Sequence, residues 1–367
     1  MRDAGGAPGW CERLVRDPRF RRWAARFPLT RSHVRHEGEA IFDIVSGFAQ
    51  SQVLRVLVEL RVLHLVEGRP REIGALAREL PLPDDRAEIL IRGGVALGLL
   101  RLSRGRVRLS LRGAALLGVP GLEEMIRHHD ILYRDLSDPV AFFRGEVETE
   151  LAGFWPYVFG QGGEAGAEDS ARYSRLMAES QILVAEDTLA AIDLRGVSRL
   201  VDVGGGTGMF LAHVAGALPH ADLVLFDLPQ VMGPARAALE GQGLGGRITF
   251  APGNFRHDDL PEGADAITLV RVLYDHPDVV VRTLLSRARA ALSPGGRLIV
   301  SEPMTGGDAP HVAGDIYFAL YCMAMRTGRA RAPGRIAELL REAGFGEIRI
   351  ARSSRPFVTS VVEGRAV

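Results

Sequence analysis

Residues 268–278 read TLVRVLYDHPD, an apolar and β-branched run that ends in Tyr274, Asp275 and His276 ahead of a proline. A phenol, a carboxylate and an imidazole at one strand end could form a catalytic rim, with Tyr274 orienting a hydroxyl and His276 taking its proton directly or through water. The same residues could equally form a turn, and Asp275 suits a turn or a helix cap better than proton transfer. A rival base sits in MIRHHDILY, where His128 and His129 are adjacent. Which reading holds depends on what surrounds the strand end.

The strongest local motif is LVDVGGGTG at 200–208. Glycines 204, 206 and 208 directly after a strand let backbone approach a ligand and turn tightly into a helix. A dinucleotide fingerprint would need glycine or alanine at 209, which is Met209, so the spacing fits an S-adenosylmethionine loop better than a nicotinamide one. The next strand ends in Asp227, where a carboxylate can accept both ribose hydroxyls. Asn254, suited to an adenine edge, and Arg271 fall at further strand ends. Asp202, Gly205, Leu228, Phe255 and Ser180 complete the expected donor set.

These residues need a scaffold. Short apolar runs at 198–203, 222–228, 247–253, 265–273 and 296–303, with EIRIA and FVTSVVE near the end, alternate with helical stretches. Strands that are apolar throughout and separated by helices predict a mostly parallel sheet buried on both faces, with ligands outside the strand carboxyl ends. Upstream, Glu39 to Leu65 has apolar residues at helical spacing, as in one long helix or a helix pair. Residues 71–117 then read as helix, turn at Pro81–Asp85, helix, and a hairpin around Ser103-Arg104-Gly105. That is a winged-helix pattern, but its second helix is mostly apolar, which suits protein packing rather than base edges. The expected divisions are a basic, aromatic segment at 1–38, a winged-helix-like dimerisation domain at 39–120, linking helices at 121–188 and a donor-binding α/β domain at 189–367.

Composition narrows the chemistry. The 367 residues are 47% apolar and 25% charged with zero formal net charge, so no overall field recruits nucleic acid. The chain has no lysine, which removes P-loop and Schiff-base chemistry. Cys11 and Cys322 lack CxxC spacing, so neither a disulfide framework nor a metal site is expected. With no apolar leader at the N-terminus, a cytoplasmic enzyme is expected. Residues 1–35 nonetheless hold nine arginines against three acids, interleaved with Trp10, Phe20, Trp23 and Phe27. Residues 13–35 could therefore lie on an anionic bilayer, or pack as a solvated arm on a partner subunit.

LVDVGGGTGMFLAHVAGALPHADLVLFDLPQVM, LSPGGRLIVSEPM and LLREAGFGEI resemble the O-methyltransferases that include the plant phenolic and acetylserotonin enzymes. DPRFRRWAARFPLTRSHVR, IFDIVSGFAQSQVL, HHDILYRDLSDPV, DIYFALYCMAMRTGRAR and RPFVTSVVE are similar to the bacterial carotenoid branch of that family. The resemblance implies a Rossmann-like, seven-stranded methyltransferase domain behind a helical winged-helix-like domain, a homodimer, S-adenosylmethionine as donor, and a carotenoid hydroxyl as acceptor. It also implies an acceptor pocket under the helix bearing His129, with Phe142, Phe143, Trp155, Met177, Phe318, Tyr321 and Met325 as lining. In the family the matching strand ends in His-Asp-Trp, with the histidine as general base. Tyr274, Asp275 and His276 stand there instead, Val270 replaces a lysine, and Ala330 replaces a second acid, while the first orienting acid, Glu302, is present. A tetrapyrrole C-methyltransferase, an aromatic natural-product O-methyltransferase and a donor-sensing winged-helix regulator remain open as alternatives.

Overall fold

The structure is a computed structural model and describes residues 9–154, 180–351 and 353–367. The chain divides into two compact units, Met1–Ala115 and Leu116–Val367.

In the first unit, α1 (Trp10–Arg16) and α2 (Pro18–Ala24) are short, with Asp17 capping α2 by accepting from the Arg19 N–H at 2.6 Å. Trp23 stacks on Phe27 at 4.8 Å and tilts against Phe20. The expected helix from Glu39 is one helix, α3 (Arg31–Glu59), which starts eight residues earlier and ends before Leu60. It is long and apolar enough to cross a membrane by length and composition. Only Leu57 and Val58 are buried on it, whereas Ile41, Phe42, Ile44, Val45 and Phe48 are exposed. Then follow α4 (Val62–Leu65), β1 (Arg71–Glu72), α5 (Ile73–Ala77), α6 (Asp84–Ala96), β2 (Leu100–Ser103) and β3 (Arg106–Leu109). The expected hairpin at 103–105 is present, its two turn residues Arg104 and Gly105 both at positive φ, as a two-residue hairpin turn demands. The strands lie in the order β1-β3-β2. α7 (Leu111–Gly118) carries the chain out of this unit.

The second unit opens with α8 (Leu122–Asp135), α9 (Pro139–Arg144) and α10 (Glu150–Phe154). Buried Asp135 holds the start of α10 by accepting from the N–H groups of Glu150 and Leu151. Helix α11 is described over 180–191. After it come β4 (Arg199–Val203), α12 (Met209–Ala217), β5 (Asp222–Asp227), α13 (Pro229–Glu240), β6 (Ile248–Pro252), β7 (Ala264–Val270), α14 (Asp278–Ala291) and β8 (Leu292–Glu302). A π-helical stretch Val312–Phe318 runs into α15 (Ala319–Met325), followed by α16 (Pro333–Glu342), β9 (Phe345–Ala351) and β10 (Ser360–Ala366).

The sheet order is β6-β5-β4-β7-β8-β10-β9. Strand β10 pairs antiparallel with β8 and β9, and the pairings from β6 to β8 are parallel. This is the mostly parallel, seven-stranded sheet expected. Alternation puts Val201, Val203, Val224 and Phe226 in one core with Leu284, Leu285, Ile336 and Leu339. Leu200, Leu223 and Leu225 join the other with Val184, Phe210, Leu211 and Leu239. Both faces are thus sealed, and the exposed backbone that could meet a ligand lies at the strand ends.

Candidate active site

At the end of β4 the chain turns through Gly204, Gly206 and Gly208, all at positive φ. At Gly206 a Cβ would point into open space, while at Gly208 it would come within 2.6 Å of Leu239, which lets α12 start hard against the layer below. The Gly206 N–H donates to Asp227 Oδ2 at 2.8 Å and the Leu228 N–H donates to Asp227 Oδ1 at 2.7 Å, so the end of β5 is tied to the glycine turn. Asp202, two residues before Gly204, is buried and accepts from Thr268 Oγ1 at 2.6 Å. Burial pushes its carboxyl up to about 7, with the Thr268 bond opposing and Asp227 adding to the rise.

These elements bound a cavity of about 200 Å³. Asp202, Gly204, Gly205, Gly206, Asp227 and Arg271 line it, as the donor-site reading expects, and so do Gln181, Thr207, Met209, Phe210, Gln230, Val231, Pro234, Val270, Tyr274 and Asp275. Among the described residues, three side-chain atoms on this wall, Gln181 Oε1, Asp202 Oδ2 and Asp275 Oδ1, are buried without a hydrogen-bond partner. All three are acceptors. Buried acceptors left open in this way call for a ligand rich in N–H, O–H and positive charge. S-adenosylmethionine fits that demand with its ammonium, sulfonium, ribose hydroxyls and adenine amine.

Other expected donor contacts are placed differently. Asn254 spends its side chain on its own loop, accepting from the Arg256 N–H at 3.0 Å, and Phe255 packs against His276. Neither is among the cavity-lining residues, and Leu228 and Gly208 act through the turn rather than the wall. Ser180 reaches the site through Arg271, whose Nη1 donates to its Oγ at 2.8 Å.

The stretch that looked like a long strand stops at Val270. Arg271 takes a left-handed backbone, φ 57°, with its N–H bonded to the Ser301 carbonyl at 2.7 Å. Such strain in a non-glycine residue persists only where the surroundings hold it. Leu273–Asp275 then form one turn of 3₁₀ helix that points Tyr274 and Asp275 into the cavity. Glu302 fastens this turn, its Oε2 accepting from the Tyr274 N–H at 3.1 Å. Burial raises Glu302 to about 7, and it does not line the cavity. On the far side, buried Arg331 donates to the carbonyls of Leu273 and His276, both at 2.8 Å, and pairs with Asp278. Asp275 lies within this turn, as expected, but does not cap a helix: Pro277 occupies the N-cap of α14 and has no side-chain cap bond.

Tyr274 is buried, and its hydroxyl lies 3.4 Å from Arg271 Nη2. Burial drives its pKa above the ordinary phenol value, so it serves as a neutral hydrogen-bonding group. His276 turns away. Its ring packs edge-on to Phe255, its Nδ1 lies 3.4 Å from Arg256, and burial with the charges of Arg256 and Arg331 lowers it to about 4. The expected pairing of Tyr274 with His276 at one acceptor therefore finds no shared surface.

The paired histidines are both held by tyrosines. His128 Nε2 lies 2.8 Å from the Tyr321 hydroxyl of α15, and His129 Nε2 lies 2.8 Å from that of Tyr317 in the π-helical stretch, so α8 is tied to both. Burial lowers the His129 pKa, and burial raises Tyr317 to about 12 against the pull of Arg271. Of the expected acceptor residues, Phe142, Tyr321 and Met325 pack together with Leu132 and Leu151. Phe318 packs edge-on against Tyr317 at 4.9 Å, and Phe143 is exposed. Trp155 and Met177 lie outside the described residues.

The O-methyltransferase domain family matches residues 133–346. The chain is 56% identical over 351 residues to the demethylspheroidene O-methyltransferase of Cereibacter sphaeroides, covering 95% of this chain and 93% of that protein. It is 51% identical over 358 residues to the enzyme of the same name from Rhodobacter capsulatus, covering 98% and 90%. Among solved structures, the calicheamicin-biosynthesis methyltransferase CalO1, in its S-adenosylhomocysteine-bound form, superposes with a TM-score of 0.74 at 25% identity over 90% of this chain and 98% of that one. Sheet order, strand-end cavity and these likenesses agree: the chain belongs to the O-methyltransferase family.

Proposed function

We propose that this protein transfers a methyl group from S-adenosylmethionine to a hydroxyl of a carotenoid. The observation that carries the donor half is the strand-end cavity, with its three unpartnered acceptor atoms and the tie between Asp227 and the glycine turn. The carotenoid half is supported by identity above half, over nearly the full chain, to a protein named for demethylspheroidene methylation. Bound in the cavity, the donor supplies a methyl group on a sulfonium, already strongly activated.

The chain's own residues then do three things. Asp202, Gly206, Asp227 and Gln181 hold the polar ends of the donor, and Met209, Phe210, Val231 and Pro234 pack its apolar surface. Arg271 and Tyr274 face the acceptor, Tyr274 aligning its hydroxyl by a hydrogen bond. Glu302 and Arg331 fix the turn that presents them. Well-aligned partners contribute roughly 7–11 kcal/mol to such a displacement, more than the 10²–10⁴-fold typical of a general base. His129, its pKa lowered by burial and its ring in hydrogen-bond contact with Tyr317, supports the acceptor side rather than the donor side.

Two assembly properties belong to the same reading. The exposed apolar face of α3, Ile41 through Phe48, is larger than a monomer ordinarily leaves to water, and a second copy of the chain covers it. The arginine-rich helices α1 and α2, with Trp10 and Trp23 half-exposed, rest on an anionic bilayer from which the polyene is drawn. The test is competition. A hydroxylated carotenoid, a magnesium-free tetrapyrrole and a catechol are presented together in liposomes with labelled donor. Label in the carotenoid supports the proposal; label in either other acceptor would overturn its acceptor half, and label in none would overturn it altogether.

A further inference from the structure

Asp275, one of the three open acceptors beside the cavity, is also placed as a reacting group would be. It lies on the cavity wall, one residue after the tyrosine that faces the acceptor. Among the described residues its Oδ1 is buried and has no hydrogen-bond partner. Glu302 also has an unpartnered oxygen, Oε1, but it does not line the cavity. Asp202 does line it, but at the glycine turn, with its Oδ1 committed to Thr268. Asp275 is thus the open carboxylate on the Tyr274 side.

We propose that the Asp275 carboxylate accepts the proton of the acceptor hydroxyl during methyl transfer, with Tyr274 aligning that hydroxyl. The inference rests on the O-methyltransferase reading above and extends it. In the step, the acceptor oxygen forms the new O–CH₃ bond and gives its proton to Asp275, while the electron pair of the broken carbon–sulfur bond stays on sulfur. One positive and one negative charge disappear together, leaving a thioether and a neutral carboxylic acid. Charges are poorly screened in a buried site, so a step that removes an opposite pair gains there relative to water. It also needs no prior ionisation of an alcohol, which a histidine could not achieve with an aliphatic acceptor. The aspartate thereby fills the gap left where the family pattern has histidine and this chain has Tyr274.

The charged and titratable groups facing Asp275 make the idea measurable. Burial pushes its carboxyl up to about 8, against the pull of Arg271 and the Tyr274 hydrogen bond and with a push from Glu302. The Cys322 thiol packed beside it on α15 is raised by burial and is neutral. Arg331 acts on Glu302 and Cys322 rather than on Asp275. A cation entering the cavity lowers the Asp275 pKa, so the donor binds better when the carboxylate is ionised. Donor binding below about pH 8 should therefore expel a proton, whereas the product S-adenosylhomocysteine, which lacks the sulfonium charge, should expel far less.

The experiment is calorimetric titration of the full-length protein with S-adenosylmethionine and with S-adenosylhomocysteine, in buffers of differing ionisation enthalpy between pH 6 and 9. Near pH 7 the donor should release roughly one proton more than the product, and its affinity should rise up to about tenfold per pH unit before levelling off. Asp202 and Asp227 face the same cavity, so Asp275→Asn identifies the group. That variant should keep product affinity, lose the extra proton release and lose roughly 10²–10⁴-fold in kcat, while Asp275→Glu should recover part of both. A variant that binds product normally yet keeps kcat, or keeps the proton release, would overturn the assignment. Should Asp275→Asn fail to bind product, the unaltered protein decides, since equal proton release by donor and product contradicts the proposal. Absence of donor binding in the unaltered protein would instead sink the donor reading itself.

Discussion

Arg271 and Tyr274 show how one strained residue aims another. The left-handed backbone at Arg271 breaks β7, sends its guanidinium toward Ser180 and the Tyr274 hydroxyl, and leaves the next turn facing the cavity. Tyr274→Phe removes one hydroxyl from this arrangement without opening a void. Its kcat should fall by about ten- to a hundredfold, the scale of leaving one buried polar group without its hydrogen bond, with S-adenosylhomocysteine affinity unchanged. His276→Ala should leave kcat within a few fold, because that ring faces Phe255 and Arg256 rather than the cavity. Steady-state kinetics beside product titration of the two variants checks both, and a larger loss from His276 than from Tyr274 would mean that the proton leaves by a different route. The glycine turn, Asp202 and Asp227 were readable from the sequence because their spacing is local. Asp275 was not: its type at a strand end suits a cap equally well, and only the 3₁₀ turn decides which way it points.

At the scale of elements, the parallel strands were legible because strands sealed on both faces read as continuous apolar runs. Their ends were less so. The apolar run 265–273 continues past Val270 into the turn, since Val272 and Leu273 are buried there as firmly as in the strand. Arg331 was missed for a different reason: it holds the carbonyls of Leu273 and His276 from more than fifty residues away, and no local pattern marks it. Arg331→Met should remove those donors and leave Asp278 short of its buried partner. Asp278 keeps Arg335, but each buried carbonyl left without its donor costs about 1–3 kcal/mol, so thermal unfolding should shift down by several degrees and product binding should weaken with it. An unchanged melting temperature would show that the turn is held by Glu302 alone.

For the whole molecule, zero net charge conceals an uneven distribution, with basic, aromatic helices at the start of the chain. Deleting residues 1–29 should cut co-sedimentation with anionic liposomes several-fold, and raising ionic strength should do the same to the full chain, since exposed charges are screened within about 8–10 Å. Equal binding to neutral and anionic liposomes would contradict an electrostatic role. The long helix starts at Arg31 rather than Glu39, because the polar residues before Glu39 carry no periodicity to announce it.

The most direct test of the central claim is the fate of a ¹³C-labelled methyl group. The protein is incubated with labelled S-adenosylmethionine and a hydroxylated carotenoid in liposomes, and the product is examined by NMR and mass spectrometry. The account predicts a methoxy carbon on the former hydroxyl, with one S-adenosylhomocysteine formed per methyl transferred. A methyl group found on carbon, or donor turned over without any label on the carotenoid, would contradict it.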